Sequence, residues 1–164
     1  MKKMDINEVL NEILVRLFHN IGAIEEQAVK TEEFKNVTTN DMHVIEAIGR
    51  GSAKNMSSVA RTLCVTTGTL TISVNSLVKK GYVERSRSEE DRRVVLVSLT
   101  EKGERAFEHH KRFHDQMIST IVEDLSEEEK QVLIKALTRL GGFFDDIHRK
   151  KKKIGPDVSD LTEQ

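Results

Sequence analysis

Apolar residues near the start of the chain recur at Ile6, Val9, Leu10, Ile13, Leu14, Leu17, Phe18, Ile21 and Ile24, in alternating steps of three and one that close with a step of three. This spacing lays them on one stripe of an α-helix, and Asp5 stands where an N-cap acceptor belongs. The stripe runs for about five turns, more than a lone surface helix in a small domain needs, so the pattern predicts packing against another chain. After a polar break, Thr38 and Asp41 have capping-box spacing, Met42, Ile45 and Ile48 follow at helical intervals, and Gly49 supplies a stop. A short helix over about 39–48 follows from this.

Two further helical segments come next, one carrying Val59, Ala60 and Leu63 and one carrying Leu70, Val74, Leu77 and Val78, parted only by the turn from Cys64 to Thr67. That arrangement is a helix-turn-helix, with Asn55 and either Thr66 or Thr67 as caps and Gly81 as the stop. The period then changes. Residues 82–87 and 94–99 read as two β-strands joined by the charge-rich segment 88–93, a hairpin wing directly behind the helix-turn-helix. Thr100 can cap a helix whose apolar positions Phe107, Phe113, Met117, Ile118, Ile121 and Val122 extend to about Leu125. Ser126 with Glu129 opens a last helix bearing Leu133, Leu137, Leu140, Phe144 and Ile147, and from His148 a lysine run is expected to leave the helix as a frayed tail.

The predicted fold is therefore mainly α with a small β-hairpin wing: a winged helix-turn-helix between long N- and C-terminal dimerisation helices. The expected divisions are 1–37 for the first dimerisation helix, 38–100 for the winged helix, 101–149 for the C-terminal helices and 150–164 for a polar tail. The apolar stripes outside the winged helix exceed what it can cover, and a two-fold homodimer buries them with one self-complementary surface.

The chain has 164 residues, enough for one domain with a real core. No stretch approaches the roughly 20 apolar residues of a membrane span, and no signal-peptide pattern opens the sequence, so a cytoplasmic protein with no membrane partner is expected. A net charge of −1 argues against a nucleic-acid partner until its distribution is considered. Between Ala47 and Val83 lie Arg50, Lys54, Arg61, Lys79 and Lys80 with no acidic residue, whereas Glu123, Asp124, Glu127, Glu128 and Glu129 crowd the start of the last helix. A positive face of this kind suits phosphate binding.

Three blocks resemble the MarR family of bacterial regulators: Lys79 through Arg85, the triplet Asp91-Arg92-Arg93, and Leu99-Thr100-Glu101-Lys102-Gly103. Within it, Val65 through Thr71, Arg85 through Val95 and His110-Lys111-Arg112-Phe113-His114 are similar to repressors of fatty-acid-synthesis genes in Gram-positive bacteria. The resemblance implies a DNA-binding repressor rather than an enzyme, with no required cofactor and with long-chain acyl-acyl carrier protein as corepressor.

With Leu70, Val74, Leu77 and Val78 turned inward, the second helix of the pair presents Gly68, Thr69, Ile72, Asn75, Ser76 and Lys79 to a groove. The hydroxyls of Thr67, Thr69 and Thr71 near the helix start can reach phosphates or base edges. Ile72 can touch a thymine methyl, and Asn75 can pair with adenine, so double-stranded DNA with a pseudo-palindromic, A·T-rich operator is the expected partner. Gly68 allows close backbone approach. On the wing, either Arg92 or Arg93 is expected in a minor groove while the other pairs with Asp91. Arg85, Arg87 and Lys54 are weaker candidates for phosphate contacts.

His110 and His114 stand at i and i+4, a spacing suited to a shared metal ion, and Glu25, Glu26 and His43 lie on helices that would pack nearby. Zinc-responsive members of the family use a carboxylate and histidines at similar places, so a zinc effector is the alternative to structural histidines. The acyl reading needs an apolar pocket, for which Leu17, Ile21, Ile24, Phe113 and Met117 are the candidates. Cys64, the only cysteine, excludes an internal disulfide. Its place among apolar positions predicts a buried packing role rather than a redox or nucleophilic one.

Overall fold

The structure, a computed structural model, describes the backbone of residues 5–153 and the side chains of residues 5–147. Its elements in order are α1 (Ile6–Val29), α2 (Thr39–Ile48), β1 (Lys54–Asn55), α3 (Met56–Thr62), α4 (Thr67–Lys79), β2 (Val83–Arg87), β3 (Val95–Leu99), α5 (Glu101–Val122) and α6 (Glu127–Lys153). Contacts divide the chain into two compact units, residues up to His114 and residues from Asp115 onward.

The helix boundaries sit on the side chains that satisfy free amides. Asp5 accepts from the Asn7 amide, Asn55 from Ser58 N, and Thr66 from Thr69 N, which settles the choice between Thr66 and Thr67. Thr38 and Asp41 complete a reciprocal capping box, as do Ser126 and Glu129. Gly49, at φ 67°, and Gly81, at φ 79°, take the left-handed backbone that ends α2 and α4.

The first unit has one core. Val29 of α1 and Phe34 and Val37 of the following loop meet Met42, Ile45 and Ile48 of α2. Val59, Leu70, Val74 and Leu77 of the helix-turn-helix, Tyr82, Val83 and Val97 of the wing and Ala106 of α5 complete it, each at 3% exposure or less. The sheet is three-stranded and antiparallel in the order β1-β3-β2, with Lys54 opposite Val97 and Val83 opposite Leu99. The expected two-stranded hairpin thus gains a third strand of two residues, too short to leave a period-2 signature. In the second unit, Val132, Ile134, Leu137, Phe143 and Phe144 are all exposed on α6.

Three expectations need correction. The backbone of α6 continues through Lys153, past His148, because lysine is a good helix former and cations complement the C-terminal end of the helix dipole. Only residues 154–164 of the expected tail lie outside the described residues. Val78 is exposed rather than inward, since Leu70, Val74 and Leu77 already close the core side of α4. Cys64 is exposed too, because it takes φ 55° in the turn between α3 and α4, and the chain reverses there with the side chain outside.

Candidate DNA interface and histidine cluster

α3 and α4 form the helix-turn-helix through the tight turn at 63–66, where Val65 N donates to Ala60 O. Burying Leu70, Val74 and Leu77 forces the opposite face of α4 outward: Thr67, Gly68, Thr69, Ile72, Asn75 and Lys79 are exposed, while Thr71 and Ser76 are half-buried. Ile72 is 73% exposed, an unfavourable position for an isoleucine unless something covers it. The threonine hydroxyls are partly committed within the helix. Thr66 Oγ1 and Thr69 Oγ1 are 2.9 Å apart, and Thr71 Oγ1 donates to Thr67 O at 2.7 Å. A Cβ at Gly68 would meet only Thr66 Oγ1 at 3.7 Å, so the fold tolerates a side chain there, and the bare backbone remains open to a close partner.

The wing tip, residues 88–94, is closed by Ser88 N donating to Val94 O and by Ser88 Oγ accepting from the amides of Glu90 and Asp91. Asp91 Oδ1 accepts from the backbone N and the Nε of Arg93, at 2.9 and 3.3 Å. Arg93 is therefore the arginine that pairs with Asp91. The pairing holds Nε only, and the side chain is 93% exposed, so both Nη atoms of Arg93 still face outward beside the exposed Arg92. Arg85 and Arg87 line, with Thr71 and Met56, a notch of about 470 Å³ between α4 and the wing. Arg87 Nη1 donates to Arg92 O at 2.8 Å, and Lys54 Nζ to Ala47 O at 3.0 Å, so both cations hold backbone within the fold.

The end of α4 is clamped from two sides. Lys80 Nζ meets Asp41 Oδ2 at 2.7 Å, Tyr82 Oη donates to Asn36 Oδ1 at 3.0 Å, and Lys102 Nζ lies 4.1 Å from the centre of the Tyr82 ring. Burial, with Glu33 and Asp41 nearby, raises the Tyr82 hydroxyl above its ordinary value. None of these pairings carried a sequence signal, since the partners lie 39, 46 and 20 residues apart.

A second polar constellation gathers where α1, α2 and α5 meet. Glu25 Oε1, almost fully buried, lies 3.0 Å from His43 Nε2, 3.3 Å from His110 Nε2 and 3.5 Å from His114 Nε2. His110 and His114 bring their Nε2 atoms to 3.1 Å of each other. Donor atoms at the corners of a tetrahedron with zinc-ligand bonds of 2.0–2.1 Å stand about 3.3 Å apart. Two overlapping triads, Glu25 with His43 and His110 and Glu46 with His110 and His114, keep their ligand atoms within 4.8 Å of one another and so match zinc in donor type, each with three protein ligands. Glu26 is not part of the group. It turns outward to Lys30, whose hydrogen bond and charge hold its carboxyl below the usual value. Glu46, on α2 one turn from His43, was missed in the sequence and lies 3.7 Å from His110 Nε2. Burial, then the charge of His114, lowers the His110 pKa, against opposing pulls from Glu46 and Glu25.

The candidate effector residues are less gathered. Leu17 and Ile24 are exposed on α1, Ile21 and Phe113 are half-buried, and Met117 belongs to the second unit. A groove of about 610 Å³ in the first unit is lined by other residues, among them Phe34, Arg50, Arg105, His109 and Arg112.

Comparison with known proteins gives this geometry a family. A profile described as transcriptional regulator SarA/Rot matches residues 27–110, half of the chain. The transcriptional regulator SarZ of Staphylococcus haemolyticus is 35% identical over 102 residues, 62% of this chain and 68% of that protein. The crystal structure of Streptococcus pneumoniae FabT in complex with DNA superposes with a TM-score of 0.80 at 43% identity, covering 86% of this chain and 99% of that one. The chain belongs to the MarR family of winged-helix transcription regulators. The Staphylococcus aureus MepR–DNA complex, at 21% identity and TM-score 0.67 over 88% of this chain and 99% of that one, shares its fold. This MarR-family protein is a DNA-binding regulator and not an enzyme. No helix among the described residues is long and apolar enough to cross a membrane.

Proposed function

We propose that the protein is a homodimeric repressor of fatty-acid-synthesis genes, binding a pseudo-palindromic, A·T-rich operator with long-chain acyl-acyl carrier protein as corepressor. The observation that carries this reading is the 43% identity with the DNA-bound FabT structure over 86% of the chain. The exposed face of α4 supports it: Ile72 and Asn75 suit thymine methyls and adenine edges, and the wing arginines suit a narrow A·T minor groove. A second copy of the chain would cover Ile6, Leu10, Ile13, Phe18 and Ile24 of α1, all at least half exposed, and the apolar face of α6. Two recognition helices related by a two-fold axis would enter successive major grooves about 34 Å apart.

The convergence of Glu25, His43, His110 and His114 favours a second reading, a zinc-responsive regulator of the same DNA-binding type. Zinc there would supply charge compensation and cross-link α1, α2 and α5. Without it, the same four groups form a partly buried polar junction among the three helices, with Glu25 and His110 inside and His43 at the surface.

Operator affinity measured by gel shift with palmitoyl-acyl carrier protein, and separately with zinc or a chelator, decides between the two. Tighter binding with the acylated carrier and no response to zinc is the expected result. Enhancement by zinc with indifference to the acylated carrier overturns the fatty-acid reading.

A further inference from the structure

Two tip arginines can enter a minor groove only if the backbone between them presents their side chains in the right direction, and a seven-residue loop on two strands does not hold a peptide plane by itself. Five of the bonds in this tip come from Ser88, Val94 and Asp91. Ser88 N donates to Val94 O at 3.0 Å, Val94 N donates to Asp91 O at 2.9 Å, and Ser88 Oγ takes the amides of Glu90 and Asp91 at 3.3 and 3.4 Å. The Asp91 carboxylate takes Arg93 N at 2.9 Å. The carbonyl of Arg92 is met by none of these. It accepts instead from Nη1 of Arg87, the last residue of β2, at 2.8 Å.

The peptide joining Arg92 to Arg93 is therefore gripped at both ends, its N–H by Asp91 and its C=O by Arg87. Rotation of that plane would swing both arginine side chains. A charged donor on a carbonyl is among the stronger hydrogen bonds, and Arg87 is anchored by its own place opposite Val95 in the β2–β3 ladder.

We propose that Arg87 is a positioning residue for DNA recognition, which acts by locking the Arg92–Arg93 peptide rather than by meeting a phosphate itself. The proposal rests on the reading that the wing tip enters the minor groove. It reassigns Arg87 from the phosphate-contact role its charge suggests. It also gives a physical reason for an arginine rather than a lysine at 87, since a planar fork keeps a fixed direction at the end of a long side chain.

A double-mutant cycle on operator binding tests it, using Arg87→Ala, the pair Arg92→Ala with Arg93→Ala, and the triple variant, each titrated across a range of salt concentrations. Arg87→Ala alone should weaken binding about five- to tenfold, with an unchanged melting temperature because the side chain is exposed. In the background lacking both tip arginines it should change affinity less than about twofold and leave the salt slope unaltered, because there is nothing left to position. A phosphate contact would behave differently. The loss in that background would persist, and the slope of log K against log salt would fall by about 0.9. That result, or full affinity in Arg87→Ala alone, overturns the proposal. Full operator affinity in the variant lacking both tip arginines would instead refute the wing reading beneath it.

Discussion

Replacing Gly103 with alanine should be among the most damaging single-methyl changes available in this protein. Gly103 lies in the first turn of α5, against the backbone of Tyr82, three residues beyond the end of α4. A Cβ built there falls 2.0 Å from Tyr82 O, 3.1 Å from Tyr82 C and 3.2 Å from Leu99 Cβ. The backbone must open by about 1 Å before the nearest of these becomes tolerable. It cannot open freely, because Tyr82 is fully buried and its carbonyl already accepts from Thr100 N at 3.0 Å. Overpacking of this kind costs about 1–3 kcal/mol, and losing the Thr100 bond adds about 1, so about 2–4 kcal/mol is expected. At about 2–4 °C per kcal/mol for a chain of this size, the melting temperature should fall by about 5–15 °C. Calorimetry or thermal circular dichroism reads this directly. Gly68→Ala is the matched control: its Cβ meets nothing closer than 3.7 Å, so stability should hold or rise by about 0.5–1 kcal/mol while operator affinity falls. A Gly103→Ala protein melting within about 2 °C of the parent would refute the packing argument.

On the proposed reading that Asn75 pairs with a base edge, Asn75→Ala should lower the ratio of operator to random-DNA affinity more than it lowers random-DNA affinity, which competition gel shifts would show. Tyr82→Phe removes the hydroxyl that donates to Asn36 and should cost about 0.5–1.5 kcal/mol in urea unfolding. Acidification should also destabilise the fold. Burial and His114 lower the His110 pKa, so below about pH 6.5 the unfolded chain binds the proton that the folded chain resists. Stability is thus full above that pH and falls towards the folded pKa; His110→Gln should flatten the dependence in urea titrations between pH 7.5 and 5.5.

What the sequence disclosed, and what it withheld, follows from the range of each interaction. The caps at Asp5, Thr38, Asn55, Thr66 and Ser126 bond to amides two or three residues away, so their identities and spacing are visible in a linear string. The exposed face of α4 was legible for the same reason, since a 100° rotation per residue fixes where Ile72 and Asn75 point once Leu70 and Val74 face the core. Val78 escaped that rule because a narrow inward arc is already filled by three residues, and an apolar type at its edge can lie on either side. Cys64 escaped it because a positive φ in a turn moves a side chain off any periodic pattern.

The histidine cluster lies between these cases. His110 and His114 announced themselves at i and i+4, but the choice of Glu25 over Glu26 depends on a single 100° step of α1 against α5, which only packing determines. Glu46 could have been nominated from its one-turn spacing to His43. Beyond the reach of any linear reading are the contacts that fix the end of α4: Asp41 with Lys80, Asn36 with Tyr82, and Gly103 beneath Tyr82 O. Each joins segments at least 20 residues apart, and together they tie the recognition helix to α2 and α5, the helices that also carry the histidines. His43 and Asp41 stand two residues apart on α2, about 200° around its axis. One side of that short helix therefore faces the histidine cluster while the other holds Lys80 at the end of α4. The end of α4 is thereby tied through Asp41 to the helix that carries His43.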